Sequence, residues 1–191
     1  KRSVTLDASS PTGASLLARL LDDADVLVTG ASSPPAFRDA ASIASRWPAL
    51  IHTGITPLGA TGPRAGWRAP DIVAFALSGY MSLNGDPDRE PIKMHGSQAE
   101  LQGGLQAALA VATAVIARER GAPAQHADVS CAEAAGSMLS GALQRHALMR
   151  RPQVRNGARP AGFGPERLYP STVRPCADGH VHVHCHNRFP D

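Results

Sequence analysis

Aromatic side chains are scarce: Phe, Trp and Tyr together make up 4% of the 191 residues. So sparse a set supplies no stacking platform for single-stranded nucleic acid, and nucleic acid is not an expected partner. Lysine is nearly absent, with only Lys1 and Lys93 among 19 basic residues. Arginine therefore carries the positive charge, densest at Arg145, Arg150, Arg151, Arg155 and Arg159. Its planar fork suits phosphate oxygens, although a bias toward arginine across the whole chain reads the same way. Cysteine is limited to Cys131, Cys176 and Cys185, an odd number without regular spacing, which suits reduced thiols better than a disulfide framework. No apolar run approaches the roughly 20 residues needed to span a bilayer, and no basic-then-apolar leader stands at the start. The expectation is a cytoplasmic protein with no membrane partner.

What is present favours a folded core. Hydrophobic residues reach 43% and charged residues 18%, with both signs interspersed and a formal net charge of +3. The first third alternates strand and helix signals. Ser3 to Leu6 reads as a strand, Ser10-Pro11 as helix cap and first-turn proline, and Leu16, Leu17, Leu20 and Leu21 as one helical stripe. Asp25 to Val28 and Leu50 to Ile55 read as further strands, with a helix between them. That β-α-β-α-β order implies a Rossmann-like open parallel sheet with flanking helices, an α/β fold whose ligands sit at the carboxyl ends of the strands.

Further on, a helix is expected over 71–83 and a longer one over 98–120, with Leu101, Leu105, Ala108, Leu109, Ala112 and Ile116 on one face. Ala127 to Ser130 reads as a strand and Cys131 to Met149 as a helix. A hairpin, Ser171 to Arg174 and His180 to His186, closes the chain. The domain reading is 1–150 as a large domain, 151–170 as a linker and 171–191 as the start of a smaller domain. The chain opens directly on a strand without an initiator methionine, so a piece of a longer protein is expected, lacking its first strand-helix unit.

Glu100 is the foremost candidate for chemistry. Ser97-Gln98-Ala99-Glu100 is also an S-x-x-E capping box, in which the glutamate serves only the backbone at the helix start. In the functional reading the helix dipole keeps this first-turn carboxylate ionised, and so able to attack a thioester carbonyl. His180, His182, His184 and His186 alternate along one strand face, about 7 Å apart, with no zinc-ligand spacing, so no metal is expected there. Cys131 reads as a small buried side chain or, less simply, as a thiolate at a helix start.

Three segments, Lys1-Arg2-Ser3-Val4-Thr5-Leu6-Asp7, Ala24-Asp25-Val26-Leu27-Val28 and Gly59-Ala60-Thr61-Gly62-Pro63, resemble the family III CoA-transferases, also called the CaiB/BaiF family. Ala76-Leu77-Ser78-Gly79, Gly85-Asp86-Pro87-Asp88 and Gln125-His126-Ala127-Asp128-Val129-Ser130 extend the resemblance over nearly the whole chain. It implies an acyl-CoA:carboxylate CoA-transferase, working as an interlocked homodimer on acyl-CoA and an organic-acid acceptor, with no metal. The family's nucleophilic aspartate falls on Glu100, within Ala99-Glu100-Leu101-Gln102-Gly103-Gly104, so the acid here is one methylene longer. Positions lining coenzyme A fall on Leu6, Asp7, Arg38, Arg68, Ala69, Pro70 and Asp71; without the resemblance, Arg38 and Arg68 read as solvated surface arginines. Where the family usually carries Asn-Phe-Arg-Pro-Gly, this chain has Gly30-Ala31-Ser32-Ser33-Pro34. Two alternatives stand beside the transferase. One is a catalytically inactive CoA-binding subunit or half-domain. The other is an acyl-CoA racemase or isomerase, which would need a histidine where Pro70 stands, and proline moves no proton.

Overall fold

The computed structural model describes residues 2–155, 157 and 171–184, with the side chains of Ser171, Thr172 and His184 excepted. Most of the expected linker, with Arg159, lies outside the described residues, as do Cys185 and His186. The chain divides into two compact units, residues 1–78 with 96–138 and residues 79–95 with 139–191.

The first unit opens with helix α1, Pro11–Asp22, which begins as expected: the Ser10 hydroxyl accepts the Gly13 N–H at 3.1 Å and proline fills the first turn. Strand β1, Val26–Gly30, follows, then a 3₁₀ turn at Pro35–Phe37 and helix α2, Ala40–Arg46. Strand β2, Ile51–Thr56, leads to helix α3, Asp71–Leu77. After residues of the second unit come helix α4, Gln98–Glu119, strand β3, His126–Ser130, and helix α5, Cys131–Ser137. The three strands form one parallel sheet in the order β1-β2-β3, with Leu27, His52 and His126 in lateral register. The α/β class and parallel sheet are those expected from the sequence.

Residues 3–6 do not form the expected strand. A strand exists only by pairing, and among the described residues no further strand extends the sheet beyond β1. The chain there instead turns into α1: Asp7 accepts the Ser9 N–H at 3.0 Å, and its carbonyl accepts the Ser10 hydroxyl at 2.8 Å. The core of this unit gathers Ala18 and Leu21 of α1, Phe37, Ile43 of α2, Trp47 and Leu50, with Leu27 packed against it. The Trp47 indole N–H donates to Asp22 at 2.8 Å, so the largest ring in the cluster carries no unsatisfied donor.

Helix α4 contradicts the pattern reading in two ways. By length and composition it is apolar enough to cross a membrane, although no run of that kind was expected. Its face of large apolar residues is also not the buried one: Leu101, Leu105 and Leu109 are 61–63% exposed. The buried positions are Ala99, Gly103, Ala107 and Ala114, the small residues of the opposite face. The distance between helices explains the inversion. A Cβ on Gly103 would lie 2.6 Å from Cys131 Sγ and 3.4 Å from Cys131 Cα, so α4 meets α5 closely enough that a larger side chain there forces a neighbour to shift.

In the second unit a 3₁₀ turn, Tyr80–Leu83, precedes a loop, and helix α6, Ser140–Met149, stands where the expected single helix over 131–149 was to end. The break follows Gly136-Ser137: the Ser137 hydroxyl donates back to the Ala134 carbonyl at 2.7 Å, competing with the helical ladder. Arg155 gathers the loop by donating to the Ser82, Asp86 and Arg89 carbonyls at 3.0–3.3 Å. Strands β4, Ser171–Cys176, and β5, Gly179–His184, pair antiparallel as expected, with Ala177-Asp178 at the turn. His180 and His182 lie on the exposed surface of this hairpin.

Candidate active site

Two cavities flank the carboxyl ends of the sheet strands in the first unit, where a parallel sheet presents its ligands. The smaller, about 150 Å³, is lined by Ile55, Ala69, Asp71, Glu100 and Cys131 among others. The larger, about 690 Å³, has Thr29, Arg38, Asp39, Thr61, His126 and Asp128 in its walls.

Glu100 reaches the smaller cavity from the first turn of α4, and the capping box expected around it does not form. Ser97 makes no side-chain capping bond. The Glu100 N–H donates instead to Asp71 Oδ1 at 3.0 Å, so the cap comes from the first turn of α3. Among the described residues the Glu100 carboxylate holds no hydrogen bond or ion pair and stays exposed, next to the positive end of a 22-residue helix. Sequence patterns had no means of pairing Asp71 with Glu100, because 29 residues separate them.

Cys131 opens α5 against the same cavity. Burial first, then the negative charges of Glu100 and Asp71, push its thiol above the ordinary range, which favours the protonated form over the thiolate. Pro70 caps α3 with no side-chain bond and offers no proton-transfer group at the position a racemase would need.

The other coenzyme-site positions are dispersed. Ala69 and Asp71 line the smaller cavity and Arg38 the larger. Arg68 is exposed, and Leu6 is half-buried beside Asp7. Asp7 is fully exposed, and the Ser9 hydroxyl and N–H hold its carboxyl below the usual carboxylate range. Arg38 donates to the Ala31 carbonyl at 3.1 Å, while the Ser33 hydroxyl accepts the Gly30 N–H at 3.0 Å. These bonds hold the Gly30-Ala31-Ser32-Ser33-Pro34 turn in place of the family's usual pentapeptide.

One constellation escaped the sequence reading altogether. His52, only 2% exposed, lies with Nε2 at 2.9 Å from Thr29 Oγ1 and Nδ1 at 3.0 Å from His126 Nδ1. Burial, then the neighbouring charge of His126, push the His52 imidazole down from 6.5 to about 4. The folded state therefore binds fewer protons than the unfolded chain between those values, and the stability His52 contributes is complete above pH 6.5 and lost as pH falls toward 4. Urea unfolding across this range is expected to weaken by on the order of 2 kcal/mol, a slope that His52→Gln largely removes. An unchanged slope in the variant would assign the acid sensitivity elsewhere.

The sequence profile described as CoA-transferase family III matches residues 1–188. The chain belongs to that family. It is 31% identical over 183 residues to the succinate–glutarate CoA-transferase of Agrobacterium fabrum, covering 94% of this chain and 44% of that one. It is 32% identical over 187 residues to the BbsE subunit of succinyl-CoA:(R)-benzylsuccinate CoA-transferase from Thauera aromatica, covering 95% of this chain and 43% of the relative. The crystal structure of a CaiB/BaiF family protein from Brucella suis superposes with a TM-score of 0.85 at 29% identity, over 97% of this chain and 48% of that one. This family III chain thus spans less than half the length of each of these relatives.

Proposed function

We propose that the protein is a cytoplasmic acyl-CoA:carboxylate CoA-transferase with Glu100 as its covalent nucleophile. The observation that carries this reading is the Glu100 carboxylate itself, relieved of capping duty by Asp71 and facing a cavity at a helix N-terminus. Coenzyme A and its acyl thioester are the substrates that membership of the family supports.

Each step balances without metal or redox partner. The Glu100 carboxylate attacks the thioester carbonyl of the donor, the C–S bond breaks, and a mixed anhydride and CoA thiolate result. The thiolate then attacks the glutamyl carbonyl, expelling the donor acid as carboxylate and leaving CoA on Glu100 as a thioester. An incoming carboxylate reverses the two steps, emerges as the new acyl-CoA and frees Glu100. The relatives named for succinate, glutarate and benzylsuccinate favour a dicarboxylic acid as acceptor.

A homodimer is part of this reading, with the exposed apolar residues Leu101, Leu105, Leu109 and Ile116 of α4 as its candidate contact face. The covalent step is tested by incubating the intact protein with a panel of acyl-CoA thioesters, trapping with hydroxylamine or borohydride, and mapping the peptides by mass spectrometry. Modification at Glu100 is expected, with the responsive thioester identifying the donor. Coenzyme binding without any label at Glu100 would leave a non-catalytic CoA-binding protein in its place.

A further inference from the structure

The Thr29, His52 and His126 chain crosses all three strands and ends at the larger cavity, a role that the transfer chemistry at Glu100 does not use. Two Nδ1 atoms 3.0 Å apart hold a single hydrogen between them. Both ring nitrogens of His52 are engaged, one by Thr29 and one by His126, and the ring is buried. Only two neutral arrangements satisfy these contacts. In one, His52 donates through Nδ1, and His126 presents an Nε2–H outward. In the other, His52 donates to Thr29 and accepts from His126 Nδ1, leaving His126 Nε2 free to take a proton without breaking any bond. The outer ring can therefore become an imidazolium while the inner ring stays neutral.

The charges around the cavity give that proton a purpose. Arg38 supplies one positive charge and Asp39 and Asp128 two negative ones, so the wall carries one net negative charge while His126 is neutral. Both carboxylates are structurally engaged: Asp39 accepts the Ser42 N–H at 2.9 Å, and Asp128 accepts the Ala60 N–H with both oxygens at 2.9 and 3.1 Å. Among the described residues no other ionisable side chain lines this cavity, and the inner side of His126 is bonded to His52, which in turn meets the Thr29 hydroxyl. Arg38 spends one N–H on Ala31 and keeps the rest of its fork. An anion entering here meets a wall that is net negative until His126 gains a proton, and neutral afterwards.

We propose that His126 is a second anion-binding side chain of this cavity, acting with Arg38 on a phosphate group, and that it takes up a proton as the anion binds. The inference rests on the acyl-CoA reading, because the phosphates of coenzyme A are the anions it would meet. His52 and Thr29 are positioning residues that act through His126.

Adenosine 3′,5′-bisphosphate is the probe, with adenosine as the uncharged control and inorganic phosphate to separate a nucleotide site from a simple phosphate site. Calorimetric titration of the intact protein in buffers of low and high ionisation enthalpy reads the protons exchanged on binding. With the bisphosphate, uptake of a fraction of a proton is expected near neutral pH, and none with adenosine. His126→Gln should abolish the uptake and weaken the bisphosphate about ten-fold. Histidine ¹⁵N NMR of the unaltered protein should show one imidazole becoming imidazolium at saturation, a readout independent of how the variant folds. Unchanged affinity and uptake in His126→Gln would overturn the inference, as would inorganic phosphate binding as tightly as the bisphosphate. If acyl-CoA labels Glu100 while His126→Gln binds normally, only the anion role falls. If neither labelling nor bisphosphate binding occurs, both readings fall together.

Discussion

Glu100→Gln is expected to lower acyl-CoA:carboxylate transfer by at least about 10³-fold while leaving coenzyme A bound, because the amide keeps the shape of the side chain and removes the nucleophile. Its backbone N–H still reaches Asp71, so the start of α4 and the fold should be unaffected. Glu100→Asp makes a finer test. It retains the carboxylate but withdraws it by one methylene, and displacement of the reacting atom by about an ångström costs on the order of 100-fold. Steady-state transfer between a donor thioester and a dicarboxylate, measured on the intact protein, separates these outcomes. Activity within ten-fold of the parent in Glu100→Gln would remove this carboxylate from the chemistry.

The second large effect is on stability. Gly103→Val is expected to destabilise the first unit by about 3 kcal/mol, the range found when side chains are forced into a packed contact. The first added carbon already lies 2.6 Å from Cys131 Sγ and 3.4 Å from Cys131 Cα, so the Cys131 side chain or one of the two helices must shift. Because Glu100 and Cys131 line one cavity, that displacement should also loosen the site. A double-mutant cycle of Gly103→Ala with Cys131→Ala discriminates this cause from helix propensity. Removal of the sulfur should recover much of the loss, whereas propensity alone predicts that Gly103→Ala stabilises by up to about 1 kcal/mol whatever stands at 131. Additive effects in denaturant unfolding would rule out the steric account.

Sequence patterns proved most informative where the physics is local. Ser10-Pro11 starts a helix because both residues act within one turn, and β1, β2 and β3 were readable as apolar or alternating runs bounded by turns. The nucleophile candidate was also readable, through its motif context. Patterns misled where neighbours distant in the chain decide. Residues 3–6 have strand composition and no pairing partner among the described residues. The leucines of α4 form the more hydrophobic stripe, yet the close approach of α5 selects the alanine and glycine face for burial.

By itself, then, the sequence determined the α/β class, the parallel order of the main elements, family membership and the acid at position 100, because composition, period and motif spacing are properties of short segments. Only the tertiary structure decided that Asp71, not Ser97, caps the helix bearing Glu100. It alone joined Thr29, His52 and His126 into one buried chain. Those are contacts between strands and helices far apart in the chain, and hydrogen-bond geometry and packing distance exist only once the sheet has brought them together.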